Sequence, residues 1–145
     1  MTPGDSMADG LDTALIALFA ETTSGMMTLW EILHSNPAVS KATQGCDIRK
    51  YRRLMTEGEG EVYAFESYVE SETHGGEQFY WLLDITREPS GWVLHRNISK
   101  QYDGGAQPVQ QFDDFRFASF DELASKHANL MNEFIKSADN FDFSQ

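Results

Sequence analysis

The chain has 145 residues, of which 41% are hydrophobic and 23% are charged, and this length and balance predict one globular domain, not a disordered chain. Its net charge of −12 repels nucleic-acid phosphates and anionic membrane surfaces. Binding to either normally needs clustered Lys and Arg. We therefore expect no nucleic-acid partner and no membrane partner, and the charge favours a basic protein partner.

The single cysteine, Cys46, excludes an intramolecular disulfide and a metal site of the CxxC type. The first ten residues lack the basic segment of a secretion signal, and the apolar run at residues 14–20 is shorter than the roughly 20 residues that a membrane span needs. We expect a cytoplasmic protein without a membrane anchor. No motif predicts a metal or a cofactor.

The first predicted element is helical, because apolar residues recur every three or four positions between residues 11 and 33. Poor helix formers at residues 22–25 favour a bend, so the pattern predicts either one helix or a pair of helices. Asn36 and Pro37 end it. The apolar positions are Leu11, Leu15, Leu18, Phe19, Met26, Leu29, Trp30 and Leu33.

Residues 38–47 are predicted to form a connection with at most one helical turn, because their periodicity is weak and they include Gly45. The next segment, residues 48–56, leaves two alternatives. Ile48 and Leu54 share one strand parity, whereas Tyr51 and Met55 on the other parity make a helix a competitor.

An antiparallel meander of four to five strands is predicted next. Residues 61–71 alternate, with Tyr63, Phe65 and Val69 on one parity. A turn at residues 73–76 leads into a strand at 78–87, and a further strand begins near Trp92 and continues through Ile98. Glycines 104 and 105 and a proline mark a loop, after which residues 110–117 are expected to give one more strand.

The last predicted element is a helix, because Ser119 and Glu122 match a capping box. Its apolar stripe should lie across the sheet, and Phe141 and Phe143 beyond it are candidate anchors. This order predicts an α+β fold in one domain, residues 1–145, with 1–8 and 139–145 expected to be flexible tails. The stripe consists of Phe120, Leu123, Ala124, His127, Leu130, Met131, Phe134, Ile135 and Ala138.

Charge is segregated along the chain, because residues 57–77 contain seven glutamates and no Lys or Arg. A strand here would present an acidic strip with an aromatic in its middle, which suits a basic protein partner. An ordinary solvated sheet face is the alternative interpretation. The predicted partner-binding residues are Glu59, Glu66, Tyr68, Glu70, Glu72 and Tyr80.

A basic run precedes the acidic strip, with Arg49, Lys50, Arg52 and Arg53 within five residues. We expect these charges to pair with glutamates of the neighbouring strand and to protect a sheet edge. A site for phosphate or an acidic peptide is the alternative.

An apolar patch is expected at Tyr68, Tyr80 and Leu82 if the helices cover only one face of the sheet. Such a patch marks a dimer or partner interface. The alternative is that the first helical segment covers the second face.

The four histidines do not have the spacing of a metal site. His127 is interpreted as a core or rim residue. His95 forms a dyad with Asp84 or Glu66 only if the strands align them. Cys46 lacks an activating neighbour, and we predict no catalytic residue and no enzyme.

The leading functional hypothesis is a small binding protein that masks a basic partner, as an immunity protein masks a bacterial toxin. One alternative is a secretion-type chaperone, a homodimer that holds an extended client segment. Another is a cone-shaped α+β protein with a pocket for a small molecule. The pocket candidates are Trp81, Asp84, Trp92 and His95.

Overall fold

The structure, a computed structural model, describes the backbone of residues 3–55 and 58–144 and the side chains of residues 13–48 and 64–144. The described chain forms an antiparallel sheet flanked in sequence by two helices, which confirms the α+β class. The elements are α1 (Pro3–Ser35), β1 (Val39–Met55), β2 (Gly58–Thr73), β3 (Gln78–Glu88), β4 (Gly91–Tyr102), β5 (Gly105–Gln111), β6 (Phe115–Phe117) and α2 (Phe120–Lys136).

The sheet is a meander in which β1 to β5 lie side by side in chain order. Strand β6 also pairs with β4, at Trp92 to Leu94, whereas β5 pairs with the other end of β4, from Asn97 to Tyr102. The single strand predicted for residues 110–117 is therefore wrong. Pro108, predicted to lie in a loop, lies inside β5, where an edge strand tolerates a missing backbone N–H.

Helix α1 is continuous through the bend expected at residues 22–25, so the helix-pair alternative is wrong. The Thr22 hydroxyl donates to the carbonyl of Leu18 at 2.9 Å inside the same helix. Gly25 faces Met131 of α2 so closely that a Cβ there would lie 2.7 Å from the Met131 Cγ. Tertiary packing against α2 therefore holds a segment whose own helix propensity is poor.

The connection predicted for residues 38–47 is also wrong, because β1 begins at Val39. Its first half pairs with β2, from Val39 opposite Thr73 to Gln44 opposite Val69. The Trp30 indole N–H donates to the Ala42 carbonyl at 2.7 Å, so helix α1 bonds to a carbonyl of this edge strand. For residues 48–55 the strand alternative is confirmed, and residue 56 lies outside the described chain.

The core lies between one face of the sheet and both helices. Phe19 of α1 meets Phe65 of β2 edge to face, with ring centroids 5.2 Å apart, and Phe134 of α2 meets Phe112 at 5.3 Å. The alternative that α1 covers the second face is therefore wrong. The buried side chains of the central strands on the core face include Phe65, Val69, Phe79, Trp81, Leu83, Ile85, Trp92, Leu94 and Ile98.

The predicted capping box is confirmed at the start of α2. The Ser119 hydroxyl accepts from the Glu122 backbone N–H at 3.2 Å, and the Glu122 carboxylate accepts in return from the Ala118 N–H at 3.3 Å. Beyond the helix, Phe141 and Phe143 are buried and pack against Phe79 and Trp81 of β3. These two anchors hold the segment after α2 on the core face.

Candidate functional site

The second face of the sheet is the candidate site, and we call it the open face. Its side chains alternate with the buried core residues along β1 to β4, and among the described side chains none of either helix packs on it. Directly opposed residues of antiparallel strands share a face, so the register defines its members. They include Lys41, Thr43, Gly45, Asp47, Glu66, Tyr68, Glu70, Glu72, Gln78, Tyr80, Leu82, Asp84, His95 and Asn97.

Five of the six predicted partner-binding residues meet on the open face. Glu70 is exposed, and the other four are half-buried. The side chain of the sixth, Glu59, lies outside the described residues, although its backbone is opposite Leu54 in the β1–β2 pair. The residues that the structure brings together are Glu66, Tyr68, Glu70, Glu72 and Tyr80.

A tyrosine pair forms the centre of this face. Tyr68 of β2 and Tyr80 of β3 stack with ring centroids 5.1 Å apart and 17° between the ring planes. Beside them, Leu82 is opposite Tyr68 and half-buried. On the other side, the Tyr68 ring lies over Gly45, where a Cβ would be 2.0 Å from the tyrosine oxygen. Because Gly45 has no side chain, the ring has room at this position.

Carboxylates flank the tyrosine pair along β2. Across residues 41–47, 66–72 and 78–84, the only cation on this face is Lys41, which is opposite Glu72. Asp47 is opposite Glu66, and Glu66 is opposite Asp84, so three carboxylates occupy one row across β1, β2 and β3. The potential of such a surface attracts positive charge.

The basic run lies beyond this part of the strand pair. Arg49 is opposite Ala64, and Arg52 is opposite Glu61. The register therefore sets the basic run against residues 60–64, not against Glu66 to Glu72. The side chains of residues 49–53 lie outside the described residues, so their expected cross-strand ion pairs remain a prediction. Farther along β2, Glu77 in the turn after the strand forms an ion pair with Lys100.

His95 continues the carboxylate row, opposite Asp84 in the β3–β4 pair. Its close partner is a residue that sequence reasoning missed, because the His95 Nδ1 lies 2.6 Å from the Asp114 carboxylate, in the loop between β5 and β6. Burial raises the pKa of Asp84, the nearby His95 lowers it, and Asp114 raises it. Asp84 is therefore a carboxyl group whose charge the folded protein disfavours.

A shallow cleft of about 110 Å³ opens on this face beside Tyr80. Its walls carry Glu70, Glu72 and two glutamines, so it offers acceptors to a single inserted side chain. The open-face residues along the cleft are Lys41, Thr43, Glu70, Glu72, Gln78, Tyr80 and Gln101.

The four residues predicted for a small-molecule pocket do not line one cavity. Trp81 and Trp92 are buried on the core face, whereas Asp84 and His95 lie on the open face. The alternation of a strand sets neighbours on opposite faces, so Trp81 and Asp84 are separated by the sheet itself. Among the described side chains, no group of three or more His, Cys, Asp or Glu residues could hold a metal ion.

Sequence reasoning also missed Lys41, Gly45 and Asp47, because their segment was predicted to be a connection. Only strand pairing shows that they face the glutamates of β2.

No protein-family model matches the chain, and no curated protein or solved structure is significantly similar to it. In the described part of the chain, neither helix combines the length and apolar character needed to cross a membrane. The candidate site is therefore defined by the geometry of the sheet alone.

Proposed function

We propose that this protein is a binding protein whose open face masks a basic surface of a protein partner, as an immunity protein masks a toxin. The single observation that supports it is the tyrosine pair, Tyr68 and Tyr80, flanked by carboxylates of β2 on a face that no described side chain of either helix covers. Half-buried aromatics supply affinity once water is excluded, and complementary charge accelerates encounter.

The carboxylates would receive Lys or Arg side chains of the partner. Glu70 is exposed and Glu66 and Glu72 are half-buried, so they remain within reach of a partner. In a toxin that acts on a polyanion, these carboxylates would occupy the positions of substrate phosphates and block the cationic site without any chemistry.

Affinity capture with charge-reversed variants tests the proposal. The immobilised protein would be compared with the double variant Glu66→Lys, Glu70→Lys and with the matched control Glu31→Lys, Asp139→Lys, which makes the same charge change at exposed positions in α1 and just after α2. We expect a protein with a basic surface to be retained by the wild type and the control and lost by the double variant.

For the purified complex, the double variant should weaken binding by about 2–5 kcal/mol if both carboxylates are desolvated. Equal retention by all three proteins, or a captured partner without a basic surface, contradicts the proposal. Light scattering adds an independent result, because a stable homodimer that buries Tyr68 and Tyr80 would leave no open face for another protein.

A further inference from the structure

A second concave surface lies between the helices, on the other side of the molecule from the open face. It is a groove of about 480 Å³ between α1 and α2, within the range of roughly 300–1,000 Å³ that is typical of small-ligand sites. Met131 and Ile135 contribute apolar surface, Glu21 is on its rim, and the buried His127 also lines it.

The hydrogen bonds of Thr22 determine which nitrogen of His127 carries a proton. The Thr22 hydroxyl donates its one hydrogen to the Leu18 carbonyl at 2.9 Å, so it can only accept from the His127 Nε2, 2.7 Å away. In the neutral imidazole the proton is therefore on Nε2, and Nδ1 is an acceptor.

The Nδ1 acceptor faces a second acceptor. The Glu21 carboxylate oxygen lies 3.7 Å from the His127 Nδ1, which is too long for a hydrogen bond. Burial lowers the pKa of His127, and the nearby Glu21 raises it by less. The imidazole thus stays neutral near pH 7, and a lone pair and a carboxylate lie side by side without a shared proton.

We propose that this groove binds a protonated primary amine carried on an alkyl chain. One ammonium nitrogen at about 2.8 Å from each acceptor would donate to both the His127 Nδ1 and the Glu21 carboxylate. The alkyl chain would lie on Met131 and Ile135. Charge complementarity selects this ligand class, because a carboxylate and an unprotonated imidazole both favour a cationic donor. An alkylammonium group is such a donor and has three N–H groups.

The inference is independent of the proposed function, since the groove shares no residue with the open face. The ligand chemistry has two sources, a free alkylamine or the lysine side chain of another protein. The two sources are distinguished by comparing the binding of n-butylammonium with that of Nα-acetyl-lysine amide. Binding of the first alone assigns a free amine, and binding of both assigns a groove that also accepts lysine; either result supports the proposal.

The experiment is an NMR titration of the full-length protein with n-butylammonium chloride at pH 7.5, observing the His127 ring nitrogens and the Met131 methyl group. We expect saturable shifts with a Kd on the order of millimolar, as suits so small a ligand. The Glu21→Gln variant, altered at an exposed position, should bind roughly tenfold more weakly or worse. Glu31→Gln, which removes the same charge farther along α1, should bind like the wild type.

Three results would overturn the proposal. The first is linear, non-saturating shifts in the wild type. The second is a free protein whose His127 carries its proton on Nδ1. The third is equal binding of 1-butanol, which matches the alkyl chain but lacks the charge, because it would show an apolar groove with no preference for a cation.

Discussion

The Tyr68 ring lies over the Cα of Gly45 on one side and stacks on Tyr80 on the other, so three neighbouring strands determine its position. This relationship makes the glycine part of the candidate interface even though it has no side chain to offer a partner. The ring is held in place in the free protein, so the proposed association would lose less entropy.

We predict that Gly45→Ala displaces the Tyr68 ring and breaks the tyrosine stack. The added Cβ would lie 2.0 Å from the ring, and the ring must move because the alanine is fixed to the strand. The aromatic proton shifts of Tyr68 and Tyr80 measure the change. Gly75→Ala is the control, since its Cβ would approach no atom closer than 3.8 Å. Unchanged tyrosine shifts in Gly45→Ala would contradict this packing.

Side chains on the two faces of the sheet should contribute differently to the free energy of unfolding. Phe134→Ala, in the core, should lower the free energy of unfolding by about 3–5 kcal/mol. Leu82→Ala, half-buried on the open face, should lower it by roughly 1 kcal/mol or less, because this side chain is only partly removed from water. Urea denaturation measures both. A Leu82→Ala cost as large as that of Phe134→Ala would indicate that the open face is covered.

Asp84→Asn is expected to stabilise the folded protein at neutral pH. Burial raises the pKa of Asp84 above 3.8, so the folded state keeps its proton longer than the unfolded chain does. Stability is therefore lost as the pH rises from about 3.8 through the folded-state pKa, and the substitution removes that loss. Denaturation at a series of pH values should show an advantage for Asp84→Asn at neutral pH that vanishes in acid. Asp139→Asn, at an exposed position, should show none.

His127 should make the protein less stable as the solution is acidified. Burial lowers its pKa below 6.5, so the unfolded chain takes up a proton before the folded protein does. The stability is fully present above about pH 6.5 and falls as the pH drops toward the folded-state pKa. In His127→Gln, whose amide can still donate to Thr22, this part of the pH dependence should disappear. The variant His74→Gln, in an exposed turn, should retain it.

Much of the fold was predictable because it depends on local chemistry. The alternation around Phe65 and around Trp81 predicts strands, since successive side chains of a strand point to opposite faces. Ser119 and Glu122 predict a helix start, since their side chains satisfy backbone groups only a few residues away. The acidic segment and its tyrosines are likewise evident from the sequence, because local composition does not depend on contacts.

Two segments whose structure was predicted wrongly share a different cause. Residues 38–47 have no clear periodicity, yet pairing with β2 makes all of them from Val39 onward a strand. Residues 22–25 are poor helix formers, yet α1 is continuous through them where Gly25 packs against α2. In both segments long-range packing overrides local propensity, which spans less than about 1 kcal/mol per residue for ordinary residues.

By itself, the sequence determined the strand periodicities, the capped last helix and an acidic segment that contains tyrosines. Only the tertiary structure decided that both helices occupy one face, that Asp47, Glu66 and Asp84 form one row, and that Asp114 reaches His95. The physical reason is that the identity of strand partners depends on register and on which face is buried. Neither property is encoded in any single segment of the chain.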